Sequence, residues 1–197
     1  MCRACIPRKE HMQNEVYRVR ASFEVPLDEL RSFLDGYEPP AEIDGVDVER
    51  RGNKLLLTAD ADRDASNYTP TALLKASLKE RRLYKTDEGW SREDPRNEAF
   101  GEDEVESKTV EYACFKGDRE TVLQNTALRY PMFGVLSDIA LFAGVGELTG
   151  IAVVDGELSA TRIIEGEERP ATVEVVDPNE GRNETNASGW RDNSLIG

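Results

Sequence analysis

Residues 17–25 alternate without a break. Tyr17, Val19, Ala21, Phe23 and Val25 are apolar, and Arg18, Arg20, Ser22 and Glu24 between them are not. A two-residue period belongs to a strand with one face in a core and the other outside it. Such a strand is not stable alone; it needs neighbouring strands and a second layer over its apolar side. The next residues offer that layer. Pro26 stands where a helix can begin, Leu27, Leu30, Phe33 and Leu34 recur at helical spacing, and Gly36 is a natural stop. A strand running straight into an amphipathic helix, in a chain of 197 residues, commits the fold to mixed α and β with room for a substantial core.

The remaining segments extend this pattern. Pro39-Pro40 opens a loop before a second strand around Gly45–Arg50, and Gly52-Asn53 is a hairpin turn leading into a third strand, Lys54–Ala61. Thr69-Pro70 resembles an N-cap followed by proline at the first helical turn, which predicts a helix with Leu73, Leu74, Ser77 and Leu78 buried. The same stretch alternates through Ala72, Leu74, Ala76 and Leu78, so a strand competes with the helix over 70–84. Thr86–Ser107 is charged and aperiodic and reads as a linker, 86–107. Lys108–Lys116 is a strand with Val110, Tyr112 and Cys114 on one face. Asp118 then caps a helix, and Pro131 starts a second, nearly all-apolar one through Met132, Phe133, Val135, Leu136, Ile139 and Phe142. Ile151–Val154 and Leu158–Ile164 flank the turn Asp155-Gly156, and Ala171–Val176 is a last strand.

The fold class expected is therefore α+β: an antiparallel sheet with a ferredoxin-like βαββαβ N-terminal part and a C-terminal ααβββ extension. Residues 1–15 form an irregular arm, 16–176 the domain, and 177–197 a polar tail.

Charge limits the function. Thirty-nine acidic residues against 25 basic ones leave −14, and only seven of the cations are lysine. Self-repulsion of that size is tolerable where salt screens it, since the Debye length falls to roughly 3 Å at molar salt. The expectation is a soluble cytoplasmic protein of a salt-rich cell, with no membrane-spanning run and no secretory h-region. Nucleic-acid binding by backbone contacts is disfavoured unless a local basic patch exists. Three cysteines in such a chain indicate thiols, not a disulfide framework.

Few motifs carry chemistry. Cys2 and Cys5 form a C-x-x-C with His11 six residues on, and Cys114 could complete a zinc set, but structural zinc sites usually show two such pairs. No cofactor is expected, zinc being the alternative. His11 is the only histidine, which removes the common nucleophile–histidine arrangements if the arm is unstructured. Cys114 reads as a buried small hydrophobe. Asp138, inside the apolar helix, must face solvent, a partner or a site, and the solvated edge is preferred. Gly144, Gly146 and Gly150 superficially suggest a phosphate loop, but they follow a helix and precede a strand, and no Lys-Ser/Thr accompanies them. Arg18 and Arg20 are the binding candidates, on the polar side of the first strand. Asp47, Glu49, Arg51, Glu111 and Phe115 are expected beside them. The stacking aromatics of RNA-binding ferredoxin-like sheets are missing there, because strand three offers Lys54, Leu56 and Thr58.

The stretches YTPTALLKAS (68–77), YACFKGDRETVLQNTALRYPMF (112–133) and VDGELSATRIIEGEERPATVEVV (154–176) resemble a group of acidic haloarchaeal proteins of unknown function. The resemblance spans about residues 16–176. It implies a halophilic setting and transfers no site residues. The reading that results is a non-catalytic binding or assembly module acting on an unknown protein partner or on itself. The alternatives are a nucleic-acid-associated regulator with an arginine face and a small-ligand enzyme using carboxylates.

Overall fold

The computed structural model describes residues 16–41, 43–61, 72–97, 105–118, 122–123, 128–154 and 157–171. Among them run β1 (Val16–Pro26), α1 (Leu27–Asp35), β2 (Ile43–Arg51), β3 (Lys54–Ala61), β4 (Ala72–Thr86), β5 (Gly89–Ser91), a 3₁₀ turn (Pro95–Asn97) and β6 (Ser107–Asp118). α2 (Arg129–Ala143), β7 (Glu147–Val154), β8 (Glu157–Ile164) and β9 (Glu167–Arg169) follow. The strands make one sheet in the order β2-β3-β4-β6-β1-β7-β8-β9, with β5 added to β4, and every pairing is antiparallel. The fold is α+β.

The expected ferredoxin-like arrangement is not what forms, because its second helix does not exist. The segment after Thr69-Pro70 is β4, which lies between β3 and β6. Its alternation decides the matter. Leu74, Ala76 and Leu78 are buried on one side while Lys75 and Lys79 are exposed on the other, and a helix would have mixed the two sets. The 86–107 linker also holds structure: β5 pairs with Tyr84–Thr86 of β4, and the 3₁₀ turn follows. The helix expected from Asp118 is not seen among the described residues of that stretch, 119–121 and 124–127 lying outside them. β6 runs to Asp118, Leu123 forms a lone bridge with Leu74, and α2 begins at Arg129, with Pro131 in its first turn. The C-terminal strands extend the same sheet from β1. The strand after β8 is the short β9, and the expected one at 171–176 lies outside the described residues except for Ala171.

One face of the sheet carries both helices. Val19, Ala21, Phe23 and Val25 of β1 meet Ala113 and Phe115 of β6, and Phe23 stacks on Phe115 with ring centroids 5.0 Å apart. α1 lies over β1 and β6, and α2 over β1, β4, β7 and β8. An apolar second helix is expected to pack on the strands at 108–116 and 149–164; it does lie on β7 and β8, but its other main neighbours are β1 and β4 in place of the strand at 108–116. Met132, Val135, Leu136 and Ile139 of α2 have no exposed surface. The helix can be apolar almost all round because its outer side is covered too. Phe142 stacks on Phe33 of α1 at 4.6 Å, Pro40 reaches Gly134, and the Tyr37 hydroxyl donates to Asp138 at 2.5 Å. Asp138 thus faces a hydrogen-bonding partner, not only solvent. Burial, followed by the bond to and the charge of Asp138, pushes the Tyr37 phenol well above its ordinary value.

Candidate functional site on the helix-free face

Strand register divides the polar side chains between two faces, because directly opposite residues of paired strands share a side. From Val25–Ala113 and Phe23–Phe115 on the helix side, it follows that Tyr112, Cys114 and Lys116 of β6 point the other way. This reverses the expectation that Val110, Tyr112 and Cys114 mark the core side. The core takes Ala113 and Phe115 instead. Glu111 also sits on the helix side, where Arg50 binds it at 2.7 Å, so neither Glu111 nor Phe115 neighbours Arg18 and Arg20. Asp47, Glu49 and Arg51 do share the arginines' face, but on the edge strand β2, four strands from β1.

That helix-free face is basic. Lys54, Lys75, Lys79, Lys85, Lys108 and Lys116 all lie on it, which is six of the chain's seven lysines. Four of them surround Ser77. Lys54 is directly across on β3, Lys75 and Lys79 are two residues away along β4, and Lys116 is diagonal on β6. Diagonal and i±2 neighbours of this kind are about 7–8 Å apart at Cβ. None of the four forms an ion pair with a described residue. Two ammonium groups at 7 Å repel by about 0.6 kcal/mol even in water. An anion placed among them would relieve several such terms at once.

The acid nearest the middle of the face is already held. Glu24 of β1 receives Arg81 at 2.6 Å and Arg92 at 3.0 Å, and the Cys114 thiol lies 3.4 Å away. Burial alone would raise this carboxyl. Hydrogen bonds from Arg81 and Cys114, with the charges of Arg81 and Arg92, outweigh it and hold Glu24 below its ordinary value. Arg92 also lies over the Tyr112 ring, 4.8 Å from its centroid. Cys114 is buried as expected, and burial, then the Glu24 charge and hydrogen bond, push its thiol up to about 11. A neutral thiol is a poor nucleophile and a poor metal ligand. Among the described residues no group of histidine, cysteine and acidic side chains is placed to hold a metal, and Cys2, Cys5 and His11 lie outside those residues.

Arg18 and Arg20 do project from the basic face, both exposed. Arg20 is flanked by Asp118 on β6 and Thr149 on β7, with Arg162 one strand further. They border the lysine group without being its centre. The centre is not visible in the helix that Thr69-Pro70 predicts: a helix keeps Lys75 and Lys79 one turn apart but turns Ser77 to its opposite side and gives neither lysine a register with Lys54 or Lys116. The competing alternation was the signal that could have found it.

The glycines that suggested a phosphate loop are occupied by packing. Gly144 ends α2 at φ 67°, Gly146 passes at φ 90° against the backbone of Ser22 and Phe23, and Gly150 lies under the Phe133 ring. No helix of the described residues is long and apolar enough to cross a membrane.

The chain belongs to the family of unknown function DUF7110, whose model matches residues 13–197, so that Cys2, Cys5 and His11 fall before the matched region. No curated protein and no solved structure matches it.

Proposed function

We propose that this protein is a non-catalytic binding module that holds nucleic acid by its phosphate backbone on the helix-free face of the sheet. One observation carries the reading: a chain of net charge −14 gathers six of its seven lysines on a single sheet face, four of them around Ser77 without ion-pair partners among the described residues. A solvated surface of ordinary design intersperses charges of both signs. Segregation against the global balance is the footprint of an anionic partner. The reading takes up the nucleic-acid alternative, which the sequence ranked below a module for a protein partner or self-association, and moves its centre from Arg18 and Arg20 to the lysine group, with the arginines as its flank. Self-association has less support. The exposed large hydrophobics among the described residues are only Trp90, Phe142 and Val145, too few for an apolar dimer face. A carboxylate enzyme has less still, since Glu24 is neutralised by two arginines. The acidic remainder of the surface supports work in a salt-rich cytoplasm, where the basic face is the exception that a partner can find.

The test is fluorescence anisotropy with labelled oligonucleotides, comparing the wild type with the quadruple variant Lys54→Gln, Lys75→Gln, Lys79→Gln and Lys116→Gln. Four lost phosphate contacts on a single strand should flatten the log K against log salt slope by about 2.8. Over a fourfold change in salt that slope amounts to about 50-fold in affinity. A variant that binds with wild-type affinity and slope, or a wild type that binds no oligonucleotide at about 0.1 M salt, would refute the proposal.

A further inference from the structure

Resting on that reading, we infer that the ligand is single-stranded and that one of its bases stacks on Trp90 at the far end of the lysine track. The observations are independent of the lysine count. Trp90 stands on β5 opposite Lys85, so it opens onto the basic face, and it is 40% exposed. The Lys108 ammonium lies 4.2 Å from its ring centroid. The ammonium lies over one face of the indole, and the exposed remainder of the ring offers a base a π-surface with a phosphate contact close by, the pairing by which single strands are held without sequence preference.

The geometry between the two ends fits an extended strand. Lys75, Ser77, Lys79, Arg81, Leu83 and Lys85 follow one another along the helix-free side of β4. Successive members are about 6.6–6.8 Å apart, a pitch comparable with that of phosphates in an extended nucleic-acid strand. Lys79 and Lys85 are about 20 Å apart along the strand, a span of a few nucleotides. Arg81, in the middle of the track, is engaged by Glu24, and Lys85, at its Trp90 end, by Glu106 at 2.7 Å, so neither adds an unpaired charge. The attractive groups therefore sit at its two ends, ammonium groups at one and an aromatic with Lys108 at the other. A duplex shows phosphates but hides its base faces, and would leave Trp90 unused. A single strand uses both ends.

The experiment uses the full chain with Trp190→Phe, so that Trp90 is the sole tryptophan. Four probes of equal length are compared: an RNA strand, a DNA strand, the DNA duplex and a phosphodiester oligomer lacking bases. Both single strands should quench Trp90 fluorescence. Trp90→Ala should weaken them about tenfold, in line with one lost base–aromatic stack, and leave the base-free oligomer unchanged. Trp90→Phe should restore part of the loss. A difference between RNA and DNA would identify which of the two the face prefers, and the inference stands in either case. Equal binding of duplex and single strands, or unquenched fluorescence with Trp90→Ala at wild-type affinity, overturns the stacking site. If the quadruple lysine variant still loses binding, the proposed function survives that result. Loss of the lysine effect itself would overturn both.

Discussion

Gly150 is the position where the packing of α2 on the sheet can be tested most sharply. It lies on β7, opposite Val19 of β1 and Thr161 of β8, on the helix-covered face. A methyl group built on it would fall far inside van der Waals contact with Phe133 Cε2 and Cζ, with Cδ2 at 3.2 Å. The backbone here is not in the left-handed region, so alanine is conformationally acceptable and the whole penalty is steric. Phe133 is 5% exposed and flanked on the helix by Met132 and Leu136, both fully buried, so the ring has no open space to swing into. Restoring carbon–carbon separations of about 3.5–4.0 Å requires α2 to lift or the ring to leave its rotamer. Overpacking of that kind costs about 1–3 kcal/mol, and Gly150→Ala belongs at the upper end.

Phe133→Ala alone should cost about 3–5 kcal/mol through transfer and cavity terms. In that background the sign of the second change reverses. The added methyl enters the cavity, and replacing a strand glycine gains about 0.5–1 kcal/mol by restricting the unfolded chain. The double variant should therefore be more stable than Phe133→Ala, with a coupling energy of about 3 kcal/mol between the two sites. Urea unfolding followed by circular dichroism in molar KCl measures all four corners of the cycle, with m-values checked for constancy. Additive effects, or a Gly150→Ala variant as stable as the wild type, would show that the ring does not rest on this glycine.

Two further outcomes follow from the charges. Glu24→Gln should lower stability by about 0.5–1 kcal/mol near neutral pH, the range for a partly exposed ion pair. Because the folded carboxyl is held below its ordinary 4.5, that stabilisation is present above pH 4.5 and lost as pH falls through the folded value, so urea midpoints of wild type and variant should converge there. The midpoint of thermal unfolding should rise substantially between dilute buffer and molar KCl, as screening relieves the repulsion of a −14 chain; equal midpoints would sink the salt argument.

How far the sequence could be read depended on whether a segment's period was unique. β1 and α1 were legible to within a residue or two, because Tyr17–Val25 admits only a two-residue period and Leu27–Leu34 only a helical one. The β2–β3 hairpin was legible from Gly52, which adopts φ 62° between Arg51 and Lys54. β4 was not, because Thr69-Pro70 is a local helix-start signal, while the alternation that makes the segment a strand is realised by pairing with β3 and β6. Tertiary pairing overrode a local preference. The error over β6 has a similar cause. Tyr112, Ala113, Cys114 and Phe115 are all buried, so the run has no polar side from which its core face could be read. Arg18 and Arg20 were legible as outward-facing from β1 alone. The lysine group was not, since its members come from three strands and are brought together only by the register.

The segregation of lysine bears on why the two faces of the sheet differ. The helix side reaches its core without help from charge. The other side buries Leu56, Leu83, Tyr112 and Cys114 to less than a tenth exposure, although neither helix lies on it. Long cationic side chains can lay their methylene stems over apolar surface while keeping the charge in water, and the Arg92 guanidinium itself covers the Tyr112 ring. Arginine is the chain's commoner cation and would serve that covering role at least as well, with eighteen copies against seven lysines. Covering alone therefore does not account for lysine on this face. A guanidinium is planar, weakly hydrated and inclined to lock onto carboxylates in pairs, as Arg81 and Arg92 do on Glu24. An ammonium on a flexible stem is a strongly hydrated point charge that can follow a phosphate whose position varies. In a chain surrounded by its own carboxylates, lysines around Ser77 remain open to an external anion where arginines would more readily have closed on internal ones. The proposed anion-binding role of this face rests on that difference in chemistry more than on the number of charges.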